Sequence, residues 1–171
     1  MNDFYDLILP REIRFRAGVA QDLPALLPVN TENILFIAGN HAVKSGDAAG
    51  IVSILEQAGK KVILLSGVPP EPAPAEVDKL IRAGRDNQCD AVVALGGGSV
   101  IDAAKAAAAL IPADGWCQEY FTGAKKITKK GLFFAASSPL EPKFNSFKAS
   151  SSAVQAYGTI SFHNSATSST V

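Results

Sequence analysis

The 171-residue chain is poor in the side chains that form disulfides or bind metals, with two cysteines and two histidines. Cys89 and Cys117 have neither metal-ligand spacing nor a disulfide framework, so we expect a reducing, cytoplasmic setting. The two histidines, His41 and His163, cannot supply the three or four ligands of a catalytic metal, so no metal site is expected in this chain. Cys89 precedes an apolar segment and is expected to be a small buried residue.

The chain also lacks an excess of charge and a long apolar run. Its 16 basic and 16 acidic side chains balance, which argues against nucleic-acid or membrane-surface binding. No apolar stretch is long enough to cross a bilayer, and the beginning at Met1–Phe4 has no secretory pattern. From its length we expect one domain, in the cytoplasm, with a core drawn from the 47% of hydrophobic residues.

Apolar periodicity predicts alternating strands and helices. Strands are expected over 12–16 (an edge strand), 33–37, 61–65, 90–95 and 132–136, helices over 20–27, 47–58, 75–87 and 99–110, and an extended proline-rich loop over 69–74. The helix over 47–58 would bury Ile51, Ile54, Leu55 and Ala58 before a Gly59 cap, and the helix over 75–87 would bury Val77, Leu80, Ile81 and Gly84. Such units predict a Rossmann-like parallel sheet with helices on both faces.

A glycine run between a predicted strand and helix is the strongest functional signal. Gly96, Gly97 and Gly98 let a ligand approach the backbone closely, and the helix that follows offers N–H groups to an anion. Ser99 is suited to contact that anion through its hydroxyl or, alternatively, to be the helix N-cap. The sequence favours a phosphate site, the alternative being a tight strand–helix turn.

Three glycines, Gly39, Gly67 and Gly96, each follow a predicted strand. The carboxyl ends of parallel strands lie at one edge of a sheet, where ligands bind in such folds. The three loops are therefore expected to converge on one site.

These residues also carry a family resemblance. The segment 96–105, Gly-Gly-Gly-Ser-x-x-Asp-x-x-Lys, resembles the signature of the iron-containing (group III) alcohol dehydrogenases. The segment 66–72 is similar to their G-V-x-P-N-P sequence, and 35–39 with 43–46 resembles their first nucleotide-binding strand and its K-S-G. The opening at 10–18 resembles P-x-x-I-x-F-G-x-G. The resemblance covers residues 1 to about 136, and the signature is shared with glycerol and sugar-phosphate dehydrogenases.

The resemblance implies a NAD or NADP site. Its pyrophosphate would lie on Gly96, Gly97, Gly98 and Ser99. Glu71 takes the place of the family's Asn on the adenine side, although an exposed loop glutamate is the alternative. Gly39 replaces the Asp that selects NAD, which predicts that NADP is tolerated unless Gly39 is simply a turn residue of positive φ.

Asp102 is the one candidate catalytic residue. The resemblance places it near substrate and nicotinamide, while helix-dipole stabilisation from the first turn is the alternative. Lys105 is expected to reach a carboxylate or ligand, or else to be a solvated lysine.

The tail departs from the family. Ser137 and Ser138 stand where the family has two threonines that contact phosphate and nicotinamide, but the glycines that follow them are replaced by Leu140 and prolines. We expect a dinucleotide-binding domain over 1–136, a serine-rich, irregular or strand-containing continuation of it over 137–171, and no helical metal-binding domain. Iron or zinc is expected only in an intact family member.

The resemblance predicts an NAD(P)-dependent oxidoreductase that interconverts alcohols and aldehydes or ketones, with this chain as its cofactor-binding half, inactive alone and able to form a homodimer. The alternatives are a non-catalytic nucleotide- or partner-binding fragment and a maleylacetate, glycerol or sugar-phosphate reductase.

Overall fold

The computed structural model describes residues 13–17, 19–140 and 156–160, with side chains described for 20–137. Six strands form one sheet in the order β1-β6-β5-β4-β2-β3. The strands are β1 (Ile13–Ala17), β2 (Asn33–Ala38), β3 (Lys61–Ser66), β4 (Ala91–Leu95), β5 (Phe133–Leu140) and β6 (Ala156–Ile160). The four strands β5, β4, β2 and β3 are parallel, whereas β6 pairs antiparallel with both β5 and β1.

The helices are α1 (Leu23–Leu26, after a 3-10 turn), α2 (Asn40–Ser45), α3 (Asp47–Gln57), α4 (Pro74–Asp86), α5 (Gly98–Leu110) and α6 (Cys117–Phe121). The predicted Rossmann-like α/β fold is therefore confirmed, and β1 is the edge strand that the sequence predicts. The sequence analysis missed α2 and α6.

The two central strands explain why the sheet needs helices on both faces. Every residue of β4 is buried, as are Ile34–Ala38 of β2, so apolar side chains point both ways from the sheet. On one face Phe36 and Val93 pack with α1 and α3 through Leu23, Ile51 and Leu55. On the other face the alternate strand residues pack with α4 and α5, through the buried side chains Leu35, Ile37, Val92, Val77, Leu80, Ile81, Ala104 and Ala107.

Helix α4 follows its predicted pattern, since Val77, Leu80, Ile81 and Gly84 are all buried. Gly59 ends α3 as predicted, with φ at +76° and its N–H donating to the Glu56 carbonyl. The predicted buried face of α3 is wrong at Ala58, which is exposed. The helix ends at Gln57, so Ala58 is its C-cap and lies past the last turn.

The part of the tail that the structure describes extends the sheet. Strand β5 continues past Ala136 to Leu140, and β6 pairs with it from Ser137 onward. Residues 141–155 and 161–171, with His163, lie outside the described residues. The division of the chain at residue 137 stays a prediction.

Candidate functional site

A change in connection direction marks one place on the sheet. From β2 the chain runs through α3 on one face to β3, while from β4 it runs through α5 on the other face to β5. The two strands are neighbours, so the sheet grows in opposite directions from the gap between them. Ligands of open α/β sheets bind in the crevice that this reversal leaves beyond the carboxyl ends of the strands. Gly39 and Gly96 begin the two loops that flank this crevice.

The three glycines after β4 have two different spatial roles. A Cβ on Gly96 would lie 3.0 Å from Cβ of Val100, so this glycine permits close packing of the turn against α5. A Cβ on Gly97 or Gly98 would meet nothing within 4 Å, and both residues are exposed. Gly97 has φ at −77°, and none of the three has a positive φ. The run therefore needs no unusual backbone angle, and Gly97 and Gly98 leave open space above the backbone through which a ligand can approach.

Helix α5 begins at this open backbone. Gly97 is its N-cap, and the Gly97 carbonyl accepts hydrogen bonds from the N–H groups of Val100 and Ile101, both at 3.1 Å. The first N–H groups of a helix have no intrahelical acceptor and carry the positive end of the helix dipole. The exposed start of α5 is therefore suited to an anion such as a phosphate.

Ser99 is not the N-cap that the sequence analysis offered as an alternative. The helix starts one residue earlier than predicted, with the Gly97 carbonyl accepting its first hydrogen bonds, and Ser99 becomes its second residue. Its half-buried hydroxyl oxygen instead accepts a hydrogen bond from the Glu71 N–H at 3.4 Å. Glu71 is exposed in the loop after β3, so the structure brings two of the predicted site residues together.

Asp102 lies in the second turn of α5 rather than the first, which removes the helix-dipole alternative. Its side chain is 72% exposed and forms an ion pair with Lys105, Oδ1 to Nζ, at 3.2 Å. Lys105 is itself 43% exposed, so this surface pair fits both of its interpretations, contact with a carboxylate and a solvated lysine. The ion pair therefore places the positive charge of Lys105 beside the carboxylate of Asp102.

Gly39 has an ordinary backbone conformation. Its φ is −69° and it is the N-cap of α2, so the alternative of a turn glycine with positive φ is wrong. A Cβ at Gly39 would contact Val100 Cγ2 at 3.5 Å and Gly96 Cα at 3.6 Å, which are ordinary van der Waals distances. The position can therefore hold a side chain, and its lack of one leaves the crevice without a carboxylate there.

Ser137 borders the glycine turn from β5. Its carbonyl accepts a hydrogen bond from the Gly96 N–H at 3.0 Å, while its hydroxyl, in a residue only 9% exposed, has no partner among the described residues. Ser137 is the register partner of Leu95 and lines a small cavity with Ala20, Leu23, Ile51, Val93 and Ala135. A buried hydroxyl without a partner beside a ligand crevice is an unused hydrogen-bonding group. The side chain of Ser138 lies outside the described residues.

Arg85, which the sequence analysis did not single out, secures the far end of α5. Its Nη2 donates to the carbonyls of Leu110, Ala113 and Gly115 at 2.9, 2.6 and 2.9 Å, and its Nε donates to Ile111 at 3.1 Å. The guanidinium also lies 5.0 Å from the Trp116 ring centroid. The sequence signal was only a basic residue in the last turn of α4, a position typical of a solvated side chain.

Among the described residues, Cys89, Cys117 and His41 do not belong to a group of side chains that could hold a metal ion. Burial, with a smaller contribution from the Asp90 charge, raises the pKa of Cys89 to about 11, as expected for the buried residue that the sequence predicts. Burial also raises the pKa of Cys117. Within 13–17, 19–140 and 156–160, no three His, Cys, Asp or Glu side chains come together as metal ligands. The described residues therefore do not fit the divalent metal of the family.

The described part of the chain contains no helix of the length and apolar character that a bilayer span requires.

Comparison with known proteins supports the family resemblance. The family model described as "Iron-containing alcohol dehydrogenase" matches residues 10–137. Long-chain-alcohol dehydrogenase 1 of Geobacillus thermodenitrificans is 36% identical over 114 residues, which cover 66% of this chain and 29% of that protein.

Two solved structures resemble the chain in fold and sequence. NADH-dependent butanol dehydrogenase A of Thermotoga maritima matches with a TM-score of 0.70 and 26% identity, over 78% of this chain and 34% of that one. Sulfoacetaldehyde reductase of Bifidobacterium kashiwanohense, solved in complex with NAD+, matches with a TM-score of 0.69 and 28% identity, over 79% of this chain and 36% of that one. The chain thus spans about a third of the length of these relatives. With the family model matching well over half of its residues, the chain belongs to the iron-containing alcohol dehydrogenase family.

Proposed function

We propose that this chain binds a nicotinamide dinucleotide across the carboxyl edge of its parallel strands, as the cofactor-binding part of an NAD(P)-dependent alcohol dehydrogenase. The observation that carries the proposal is the open backbone at Gly97 and Gly98, at the start of α5 and beside the reversal between β2 and β4. A methyl group at either glycine would occupy the space through which a phosphate reaches the helix N–H groups.

The strand order suggests how the cofactor lies. With its pyrophosphate on Gly97, Gly98 and Ser99 after β4, the adenosine would extend past β2 toward Glu71, which follows β3. The nicotinamide would extend the other way, toward Ser137 and Ser138 of β5. The place of Ser137 supports this assignment, because its carbonyl accepts a hydrogen bond from the Gly96 N–H and so borders the glycine turn from the β5 side.

Gly39 bears on the choice between NAD and NADP. The acidic side chain that accepts from the ribose 2′-OH in NAD-preferring folds, and repels a 2′-phosphate, is missing at this end of β2. We propose that the crevice therefore tolerates NADP as well as NAD.

When bound, the nicotinamide would supply hydride transfer to an aldehyde or ketone, or accept a hydride from an alcohol. The residues described here bind and orient it: the α5 N-terminus holds the pyrophosphate, and Ser137 lies beside the nicotinamide. We assign Asp102 a place next to the site. Its negative charge is offset by Lys105. Because the described residues bring no metal ligands together, no step is assigned to a metal.

A titration of the 171-residue chain with NADH, NADPH and ADP tests the proposal, followed by nicotinamide fluorescence and by thermal stability. We expect all three to bind and to raise the melting temperature, because ligands that bind only the folded state stabilise it. We also expect no oxidation of alcohols, with or without added Fe²⁺ or Zn²⁺. Absence of binding by all three nucleotides would contradict the proposal and favour the partner-binding alternative, and clear alcohol oxidation would contradict the assignment of this chain to cofactor binding alone.

A further inference from the structure

Prolines restrict the backbone of the loop that leads from β3 to α4. Four of the six residues in 69–74 are prolines, at positions 69, 70, 72 and 74. A proline fixes its own φ and has no N–H group to donate. Within this proline-rich segment, Glu71 and Ala73 are therefore the sources of backbone N–H groups and of freedom in φ.

Glu71 has an unusual conformation within this loop. Its φ is +50°, a region that residues other than glycine seldom adopt and that persists where the surroundings hold it. The ends of the loop are fixed, since Val68 packs against the core and Pro74 begins α4. The conformation of Glu71 is consequently one of the few backbone variables that set the course of the prolines.

The contact that holds Glu71 comes from the glycine site. The Glu71 N–H donates to Oγ of Ser99, in the first turn of α5, at 3.4 Å. A hydroxyl that accepts one hydrogen bond can still donate its own proton. The same Ser99 side chain can thus hold the proline loop and donate to an anion at the start of α5.

We propose that Ser99 is a positioning residue that ties the proline loop to the phosphate site, so that the two ends of the crevice are coupled. What the loop faces, the adenosine of the cofactor, rests on the proposed function. We call the hydrogen bond between the Glu71 N–H and Ser99 Oγ the tether. The evidence for it is this contact and the shortage of other backbone donors among the prolines. The proposal predicts that Ser99 supports the binding of adenosine, although adenosine carries no phosphate for Ser99 to contact.

The experiment uses ¹⁵N-labelled full chain with Ser99→Ala and Ser99→Thr. Amide exchange at Glu71 reports the tether directly, and NMR titrations with adenosine and with ADP report the two ends of the crevice. In Ser99→Ala we expect Glu71 exchange to be faster by about fivefold, because a modest hydrogen bond that protects the amide is lost. Adenosine and ADP should both bind more weakly to this variant, and Ser99→Thr should restore both affinities and the exchange rate.

Ser53→Ala is the matched control, because Ser53 is an exposed helical serine of α3 whose hydroxyl accepts a hydrogen bond from Gln57 Nε2 at 3.0 Å. It should leave exchange and both affinities unchanged. If Ser99→Ala weakens ADP but leaves adenosine binding and Glu71 exchange as they were, Ser99 acts on phosphate alone; the tether is then wrong and the proposed function stands. If the wild-type chain binds neither ADP nor NADH, the proposed function fails, and unchanged exchange at Glu71 in Ser99→Ala would independently overturn the tether.

Discussion

The N–H of Gly39 donates a hydrogen bond to the carbonyl oxygen of Leu95 at 2.8 Å. This bond joins the first residue after β2 to the last residue of β4, and so fixes the two sides of the crevice at the point where the sheet reverses its connections. Gly39 is also the N-cap of α2, so the position that selects the cofactor in related folds is held by backbone contacts alone.

Gly39→Asp should shift cofactor preference without disturbing the fold. The Cβ space is adequate, and aspartate is a favourable N-cap residue. Its carboxylate would accept from the ribose 2′-OH of NADH and repel the 2′-phosphate of NADPH. We expect the NADPH/NADH ratio of dissociation constants to rise by about tenfold, measured by fluorescence titration. Gly39→Asn, which has the same shape without the charge, is the control; an equal shift in both variants would contradict an electrostatic cause.

Gly98→Ala should weaken cofactor binding while preserving or increasing stability. The methyl group enters open space above the start of α5, and alanine is favoured over glycine in a helix by up to about 1 kcal/mol. We expect NADH and ADP to bind about tenfold more weakly, since a phosphate can no longer approach the backbone closely.

Gly50→Ala is the matched control for that variant. Gly50 is exposed in α3, and a Cβ there also meets nothing within 4 Å, so the same stabilisation is expected with unchanged binding. Equal nucleotide affinity in the Gly98 and Gly50 variants would place the phosphates elsewhere.

Ser137→Ala separates binding from stability. The Ser137 hydroxyl has no partner among the described residues, and removing an unpaired buried polar group is neutral or stabilising. The melting temperature should therefore stay constant or rise, while NADH affinity should fall by about fivefold if the hydroxyl donates to the cofactor. A drop of several degrees in the melting temperature would show instead that the hydroxyl is satisfied within the folded protein.

The sheet could be predicted from sequence because its pattern is local. Burial alone explains two of these local patterns. One is the run of apolar residues in β2 and β4, and the other is the spacing of Val77, Leu80 and Ile81 in α4. The glycine run located the crevice for the same reason, since it directly follows a buried strand. Gly97 and Gly98 leave the space above the backbone that their missing side chains predict, and no residue of the run adopts a positive φ.

The features that were missed depend on contacts between distant residues. Helix α6 has only five residues, and its Cys117 N–H is held at 2.7 Å by the Asp78 carboxylate of α4. The sequence of these five residues carries no signal of a contact with Asp78. The contact between Glu71 and Ser99 likewise joins residues 28 apart, and Ser99 could be recognised as a site residue but not as an acceptor for the proline loop.

Arg85→Ala should destabilise the chain more than a surface substitution does. The substitution removes the donors to four carbonyls around the end of α5. We expect the free energy of unfolding to fall by about 3 kcal/mol as a result. Arg85→Lys should recover only part of this, because an ammonium lacks the planar fork. Arg82→Ala is the control, since it removes the second guanidinium from the Trp116 ring, 5.3 Å from its centroid, and leaves the carbonyl bonds in place. Urea midpoints that are the same for the Arg82 and Arg85 variants would contradict the role of those bonds.

Cys89 should make stability fall at alkaline pH. The pKa of its thiol is raised from 9.0 to about 11 in the folded chain, so between these values the unfolded thiol ionises while the folded thiol keeps its proton. The contribution of this thiol to stability is fully present below about pH 9 and is lost as the pH rises toward 11.

The Cys89→Ala variant lacks this titration and carries only a cavity cost that does not depend on pH. The difference in unfolding free energy between wild type and variant should therefore shrink by about 1–2 kcal/mol from pH 8 to pH 10.5, measured by urea unfolding. Other alkaline groups act equally on both proteins, so a difference that stays constant across this range would show that the folded thiol ionises as readily as the unfolded one.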